Sequence, residues 1–444
     1  MNIRESKQPE ERRFSIREFA SRFGGVGAIA LLTYVGEYMS FLVALAFLSD
    51  KWTVTFHLGA YGYALVGTIS AVYLVASGLI AIPIGHLSDK YGRRSFTILG
   101  SLLGSFALFS LVLDDKLTNI TLFSAAFFIS LSALGLAHGT YTASTLAYAG
   151  DITTMDNLGK PYGLVESAEF AGYAFGPALG TLTAFEVGRI GTFQISGTLL
   201  LISAILAYFT MRRDTHILAR EKLLEVVHLE HQKQNGSHDH SGGESVSWSD
   251  FLSSFKNVIL GVTLLTTVIA SIAFSGFFYY VPLYAQKLAA SISVLSTLYP
   301  IFASIMAATG LILMFPFGII EDATERRMPY LSIGLIIGSV SLASVFLFPS
   351  LFGLLAASLV FGVSLAMTRV SQLVILAERS TIKSRAAVMG TNHAMEHTGY
   401  GIGAFVGGVV VALYGFVATF RVLSLILLLA AVLFSLFSFW KKIK

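Results

Sequence analysis

Ionisable side chains inside apolar segments are the residues of this sequence with the greatest chemical potential. Glu37 lies in the middle of a long apolar stretch, with Thr33, Tyr34 and Ser40 at helical spacing around it. A charge at the centre of a bilayer costs about 2.5–3.5 kcal/mol on insertion scales, so it needs a partner or a role. We therefore predict that Glu37 is a substrate counter-charge or a proton carrier. The alternative is a structural carboxyl that is hydrogen-bonded to a neighbouring helix.

Six further ionisable residues lie in apolar segments and are predicted to serve proton coupling or substrate binding. They are His138, Glu166, Glu169, Arg369, His393 and Glu396. A histidine in a span can carry protons near neutral pH, although a satisfied core histidine is the alternative. Arg369 is the only base inside a predicted span, and it could either bind an anionic substrate or pair with Glu396.

The composition is that of an integral membrane protein. Of 444 residues, 55% are hydrophobic and 13% charged, and the mean hydropathy is +0.72. The absence of cysteine excludes disulfides and thiol catalysis, and the small net charge of +4 indicates no nucleic-acid surface. No phosphate-binding loop is present, so we expect neither an enzyme nor an ATP-driven pump. We expect no cofactor and no metal, because the histidines of the polar stretch 212–256 are irregularly spaced.

Twelve stretches are long and apolar enough to span a bilayer. They are 24–48, 59–84, 95–113, 120–149, 161–187, 190–211, 257–286, 291–317, 328–348, 350–377, 386–414 and 417–440. With this count, 24 Lys and Arg fall in segments on one side and 5 on the other. The positive-inside rule therefore predicts an inner-membrane protein with both termini in the cytoplasm.

One long polar stretch divides these spans into two groups of six. The predicted units are a cytoplasmic tail (1–23), a six-helix bundle (24–211), a cytoplasmic linker (212–256), a second six-helix bundle (257–440) and a short tail (441–444). The fold class is thus an all-α membrane protein.

Two repeated patterns relate the bundles to one another. The stretch from Pro83 to Arg94 returns from Pro316 to Arg327, an offset of 233, with the Pro, Gly, Asp and Arg-Arg positions matched. A second pattern returns at an offset of 227. It links Gly163, Gly172, Gly176 and Gly180 to Gly390, Gly399, Gly403 and Gly407. We therefore predict two pseudo-symmetric halves with a substrate site between them near the bilayer midplane.

These motifs resemble the major facilitator superfamily. The stretch Gly85-x-Leu87-x-Asp89-x-x-Gly92-Arg93-Arg94 is similar to its loop signature after the second helix. The run Gly163-x8-Gly172-x3-Gly176-Pro177-x2-Gly180 looks like the fifth-helix motif of its antiporter branch, typical of drug–proton exporters. The resemblance implies gating roles for the first loop and for its second copy. That copy contributes Asp322, Arg326 and Arg327.

The function predicted from these features is alternating-access transport in the cell membrane by a monomer. The expected activity is proton-coupled export of small lipophilic or drug-like molecules, with lipid, protons and the substrate as partners. The alternative is a proton-coupled importer or uniporter of a small, possibly anionic metabolite, which Arg369 would clamp. A receptor or scaffold without transport is a third class, which the buried charges disfavour.

Overall fold

The computed structural model describes residues 16–114, 116–152, 159–212, 258–288, 301–324, 326–379 and 385–440. Ten α-helices make up these ranges, and a π-helical turn, Lys51–Thr55, follows the first. They are α1 (Ile16–Asp50), α2 (Tyr61–Tyr91), α3 (Arg93–Asp114), α4 (Ile120–Asp151), α5 (Gly159–Thr210), α6 (Val258–Leu288), α7 (Ile301–Thr324), α8 (Arg327–Leu347), α9 (Leu351–Arg379) and α10 (Arg385–Trp440). The predicted all-α fold class is confirmed.

Ten helices of the described ranges are long and apolar enough to cross a membrane, and each contains an 18-residue window of mean hydropathy between 1.7 and 2.7. α1 begins at Ile16, eight residues before the predicted start of the first span at position 24. The additional residues include Arg17 and Arg22, so the helix continues beyond its apolar part. Most of the predicted tails and nearly all of the predicted linker lie outside the described residues. Those domain boundaries therefore stay predictions.

The long helix α5 reverses its direction at Gly188. A straight helix of its 52 residues would measure about 78 Å, far more than the roughly 30 Å of the bilayer core. Gly188 has φ 76° and ψ 172°, values that are open to glycine and closed to most other residues. Thr192 Oγ1 donates to Thr183 Oγ1 at 3.2 Å, whereas nine residues of straight helix would separate them by about 13 Å. The two parts of α5 therefore run antiparallel.

The last helix, α10, repeats this reversal at Gly415, which has φ 81° and ψ 172°. Thr419 Oγ1 lies 3.5 Å from the carbonyl oxygen of Gly407, twelve residues earlier in the chain. Gly188 and Gly415 differ by 227 positions, the offset of the sequence repeat. The two reversals divide ten helices into twelve segments in the described part of the chain. This division favours the prediction of twelve spans.

Glycines let the first part of α5 approach α1 closely. A Cβ on Gly180 would lie 1.9 Å from the carbonyl oxygen of Met39, so no larger residue fits there. The corresponding part of α10 packs on α6 in the same way, since a Cβ on Gly403 would lie 2.3 Å from the carbonyl oxygen of Ile272. Small residues at such crossings are typical of helix packing in membranes. The glycine pattern thus fixes one helix pair in each half.

The two halves meet most closely where α2 crosses α10. A Cβ on Gly67 would lie 2.5 Å from the carbonyl oxygen of Ala404 and 2.9 Å from the Cα of Gly408. Nearby, Gln286 Nε2 donates to Asp50 Oδ1 at 3.1 Å, which joins α6 to α1. These contacts lie at the ends of the helices that are predicted to face outside. The halves are therefore closed against each other at those ends.

Candidate functional site

The carboxylate of Glu37 lies at the centre of the first half and is 0% exposed. Tyr73 of α2 donates its hydroxyl to Oε1 at 2.5 Å. From α4, Tyr141 donates its hydroxyl to Oε2, and His138 Nδ1 lies 2.9 Å from the same oxygen. The carboxylate is thus hydrogen-bonded by phenols and an imidazole, and no arginine or lysine of the described ranges pairs with it. Such a set of groups can pass a proton between helices.

The polar neighbours predicted for Glu37 have separate roles in the structure. Thr33 hydrogen-bonds Ser203 in the second part of α5, with the two hydroxyl oxygens 2.6 Å apart. Ser40 donates to the backbone oxygen of Glu37 itself at 3.0 Å. Only the ring of Tyr34 borders the cluster, with its centroid 5.8 Å from that of His138. Of the three polar neighbours, Tyr34 therefore borders the carboxylate cluster, whereas Thr33 contributes to packing between helices.

The second half contains a buried ion pair between Arg369 of α9 and Glu396 of α10. Tyr400 donates its hydroxyl to Glu396 Oε1 at 2.5 Å, and the Arg369 guanidinium lies 5.8 Å from the centroid of the Phe170 ring. Of the two roles that the sequence left open for Arg369, the structure shows the pairing with Glu396. A cavity of about 30 Å³ beside the pair has room for about one water.

Glu169 and the histidines of α10 lie where the two halves face each other. Glu169 is 8% exposed and accepts a hydrogen bond of 3.4 Å from Tyr173, four residues later. The rings of His393 and His397 are 4.4 Å apart between centroids, and His397 lies 5.7 Å from His138. His397 was not among the predicted site residues, although it lies one helical turn after His393.

The loop between α2 and α3 is organised by Arg93. Its Nε lies 3.2 Å from Asp151 Oδ2 at the end of α4, and its Nη1 donates to Ser88 Oγ at 2.7 Å and to the Gly85 carbonyl oxygen at 3.2 Å. Gly92 ends α2 with φ 98°. These contacts join three helices of the same half.

Arg94 follows the helix end in this loop and binds the second part of α5. It donates to the carbonyl oxygen of Tyr208, and its guanidinium lies 4.5 Å from the centroid of the Tyr208 ring.

The glycine motif of α5 includes Pro177. The carbonyl oxygen of Pro177 accepts a hydrogen bond of 2.9 Å from the hydroxyl group of Thr181.

The second loop has a similar ion pair, shifted by one position. Arg327 Nε lies 3.2 Å from Glu378 Oε1. Glu378 corresponds to Asp151 in the repeat, whereas Arg327 corresponds to Arg94 and not to Arg93. Arg326 is exposed before the start of α8. Glu321, which the sequence reasoning missed, is 2% exposed and accepts a hydrogen bond from Ser371. Its position beside the predicted Asp322 in the repeated motif was the available signal.

Four predicted positions cannot be placed by their side chains or surroundings. The surroundings of Gly163 and the side chains of Asp89, Glu166 and Asp322 are outside what the structure describes. Their predicted roles stay predictions.

The sequence profile of the Major Facilitator Superfamily matches residues 26–313 and 297–442. The chain belongs to the Major Facilitator Superfamily. It is therefore a multi-pass membrane protein. The resemblance inferred from the loop and glycine motifs is confirmed.

Several characterised proteins that are similar in sequence to this chain are named for multidrug resistance. Multidrug resistance protein 2 of Bacillus subtilis is 29% identical over 156 residues, which cover 34% of this chain and 37% of that protein. The match to the efflux pump PmrA homolog of Lactococcus lactis is 24% identical and covers 36% of this chain and 38% of that protein. These matches thus span well under half of either relative. A longer match, to multidrug resistance protein MdtG of Salmonella arizonae, is 22% identical and covers 84% of this chain and 86% of that protein.

Solved structures of transporters share the fold of this chain. The nucleoside transporter NupG superposes with a TM-score of 0.68 at 14% identity, over 95% of this chain and all of that one. A POT family transporter in complex with 5-aminolevulinic acid gives a TM-score of 0.66 at 13% identity, over 95% of this chain and 97% of that one. At these identities the likeness concerns the fold alone.

Proposed function

We propose that this chain exports small lipophilic molecules from the cell by alternating access, in exchange for protons that enter. The observation that carries the proposal is the buried Glu37 carboxylate, which is held by Tyr73, Tyr141 and His138 and, among the residues that the structure describes, by no arginine or lysine. A carboxylate held in this way can exchange its proton, whereas one beside a permanent cation is held ionised.

The exchange follows from competition for one desolvated group. A proton that enters from outside binds Glu37 when the halves open outward, and it leaves toward the cytoplasm when they open inward. A lipophilic cation can take the place of that proton beside the carboxylate, because both neutralise the same charge. Since only one of the two occupies Glu37 at a time, inward proton flow drives outward substrate flow.

Aromatic side chains between the halves support a lipophilic substrate. Rings of α1 and α5 contact rings of α6 at centroid distances between 5.4 and 6.4 Å. The residues are Tyr38, Phe41, Tyr173, Phe274, Phe278 and Tyr279. Aromatic walls with a few polar groups are typical of sites for drug-sized molecules. The names of the curated relatives agree with this substrate class.

Arg369 supports export over the anion importer. Its guanidinium pairs with Glu396, so an anionic substrate would have to displace a buried carboxylate. We further infer that the loop pairs Arg93–Asp151 and Arg327–Glu378 take part in gating, that both termini lie in the cytoplasm, and that the transporter works as a monomer in the cell membrane. The charge bias of the loops supports this orientation.

The proposal is tested by transport into proteoliposomes with and without a pH gradient, with a fluorescent lipophilic cation as the probe. In Glu37→Gln we expect the gradient-driven accumulation to fall at least tenfold, to the level seen without a gradient. Passive exchange of the probe should persist, because the halves can still move. Glu186→Gln is the matched control, since Glu186 is exposed just before the reversal of α5 at Gly188, and it should accumulate the probe as the wild type does.

Two results would contradict the proposal. If Glu37→Gln still concentrated the probe against its gradient as well as the wild type, Glu37 would not couple transport to protons. If the wild type itself showed the same uptake with and without a pH gradient, the coupling to protons would be wrong as a whole.

A further inference from the structure

Three side chains with metal-binding atoms converge between the two halves. They are His138 of α4, Glu169 of α5 and His397 of α10, and one ligand atom of each lies within 4.8 Å of the others. All three residues are buried, with exposed fractions of 1%, 8% and 3%. Because they come from distant parts of the sequence, no spacing motif could reveal them.

Two nitrogen atoms of this cluster have no hydrogen-bond partner within the described residues. They are His138 Nε2 and His397 Nδ1. A buried polar atom without a partner costs about 1–3 kcal/mol, so its presence calls for an explanation. Both nitrogens belong to residues that lie close to the Glu169 carboxylate, and both are explained together if they bind one cation.

Glu37 orients His138 for this role. Its Oε2 lies 2.9 Å from Nδ1, and Tyr73 and Tyr141 already donate their hydroxyls to the same carboxylate. The Nδ1 proton of His138 therefore points at the carboxylate, and the lone pair of the imidazole lies on Nε2. Histidines that bind metals usually give their other N–H to a carboxylate in this manner.

We propose that His138, Glu169 and His397 form a binding site for a divalent transition-metal ion of the zinc type, which holds the two halves in the conformation described here. Zinc takes imidazole nitrogen and carboxylate oxygen, and a water can complete its four ligands. Ligand atoms around tetrahedral zinc are about 3.3–3.5 Å apart. From separations of at most 4.8 Å, the side chains need to approach by no more than about 1.5 Å.

The position of the ion determines its effect. His138 and Glu169 belong to the first half and His397 belongs to the second, so an ion bound to all three joins the halves. Opening the site would require the loss of at least one ligand. Zinc is therefore an inhibitor of the transport cycle. Mg²⁺ does not replace it, because magnesium prefers oxygen ligands.

The test is zinc binding to the purified full-length chain, measured by equilibrium dialysis and by the shift in melting temperature. The five histidines of the predicted linker, His216, His228, His231, His238 and His240, are first replaced by glutamine in a background variant. We expect this background to bind one zinc ion per chain and no magnesium. His397→Gln and Glu169→Gln in that background should weaken zinc binding at least tenfold.

A further variant separates a metal site from an accidental contact of side chains. Glu37→Gln keeps all three ligands but changes the group that orients His138, and we expect zinc binding to weaken by about 10–100-fold. Zinc should also slow transport by the background variant and have no effect on the His397→Gln variant at the same concentration, with each protein compared with itself without zinc.

The proposal is overturned if the background variant binds no zinc, since the linker histidines would then account for any binding by the wild type. It is also overturned if His397→Gln and Glu169→Gln bind zinc as tightly as their background. Helical content and a single symmetric peak in size-exclusion chromatography check that each variant is folded. Neither result depends on whether transport is coupled to protons.

Discussion

In both α5 and α10, a buried glutamate accepts a hydrogen bond from the tyrosine four residues later: Glu169 from Tyr173, and Glu396 from Tyr400. The halves differ at the position of Arg369, which pairs with Glu396 in the second half. By the offset of the repeat, Arg369 corresponds to Thr142, whose hydroxyl oxygen lies 3.1 Å from that of Tyr34.

The two halves thus share their helix packing and differ in their charges. The first half keeps its central carboxylate among neutral or exchangeable donors, and the second fixes a carboxylate with a permanent cation. In the function that we propose, proton exchange takes place in the first half, and the ion pair of the second half is structural. Each of the following variants tests one part of that assignment.

The largest effect on stability is expected from Arg369→Gln. It leaves the buried Glu396 without its cation, which should lower the free energy of unfolding by about 3–5 kcal/mol in a denaturant titration. Because the double variant Arg369→Gln with Glu396→Gln removes both charges, it should recover most of that loss. Glu37→Gln should cost less, about 1–2 kcal/mol, since no cation is left unpaired. If Arg369→Gln and Glu37→Gln lowered the free energy of unfolding equally, the proposed difference between the two halves would be wrong.

A smaller effect is expected from alanine at the glycine crossings. Gly180→Ala should lower the free energy of unfolding by about 2–3 kcal/mol, because its methyl group would meet the backbone of Met39. The equivalent Gly407→Ala meets the side chain of Tyr280 and not the backbone, and should cost about 1 kcal/mol less. Gly401→Ala is the control, since its nearest neighbour would lie at 3.3 Å. Similar losses at all three would show that the crossings tolerate wider spacing.

The smallest effect is expected at the loop ion pairs. The side chains of Arg93 and Asp151 are each 12% exposed, whereas that of Glu378, the partner of Arg327, is 50% exposed. Because solvent weakens an exposed pair, Arg327→Gln should cost less than about 1 kcal/mol and Arg93→Gln about 1–2 kcal/mol. Thermal unfolding of both variants in one detergent measures the difference. A larger loss for Arg327→Gln would reverse the predicted order.

The sequence predicted the frame of the molecule well and its central contacts only in part. Glycine spacing, loop motifs and the repeat offset are local patterns, and the structure shows the close crossings and the Arg93–Asp151 pair where these patterns lie. The partners of Glu37 could not be assigned, because Tyr73 and His138 reach it from other helices at separations that no periodicity sets. For the same reason the choice between two roles of Arg369 needed coordinates, and the contact of His138 with His397 was missed.

The reversals at Gly188 and Gly415 have a practical consequence. Each joins two helices through a single glycine, so neither offers a loop that a protease could cut or an antibody could recognise. An epitope tag inserted there would have to replace the reversal itself. Since the chain contains no cysteine, one thiol introduced beside either glycine would be unique in the protein. Its reaction with a reagent that cannot cross membranes would report directly which face of the cell envelope these turns occupy.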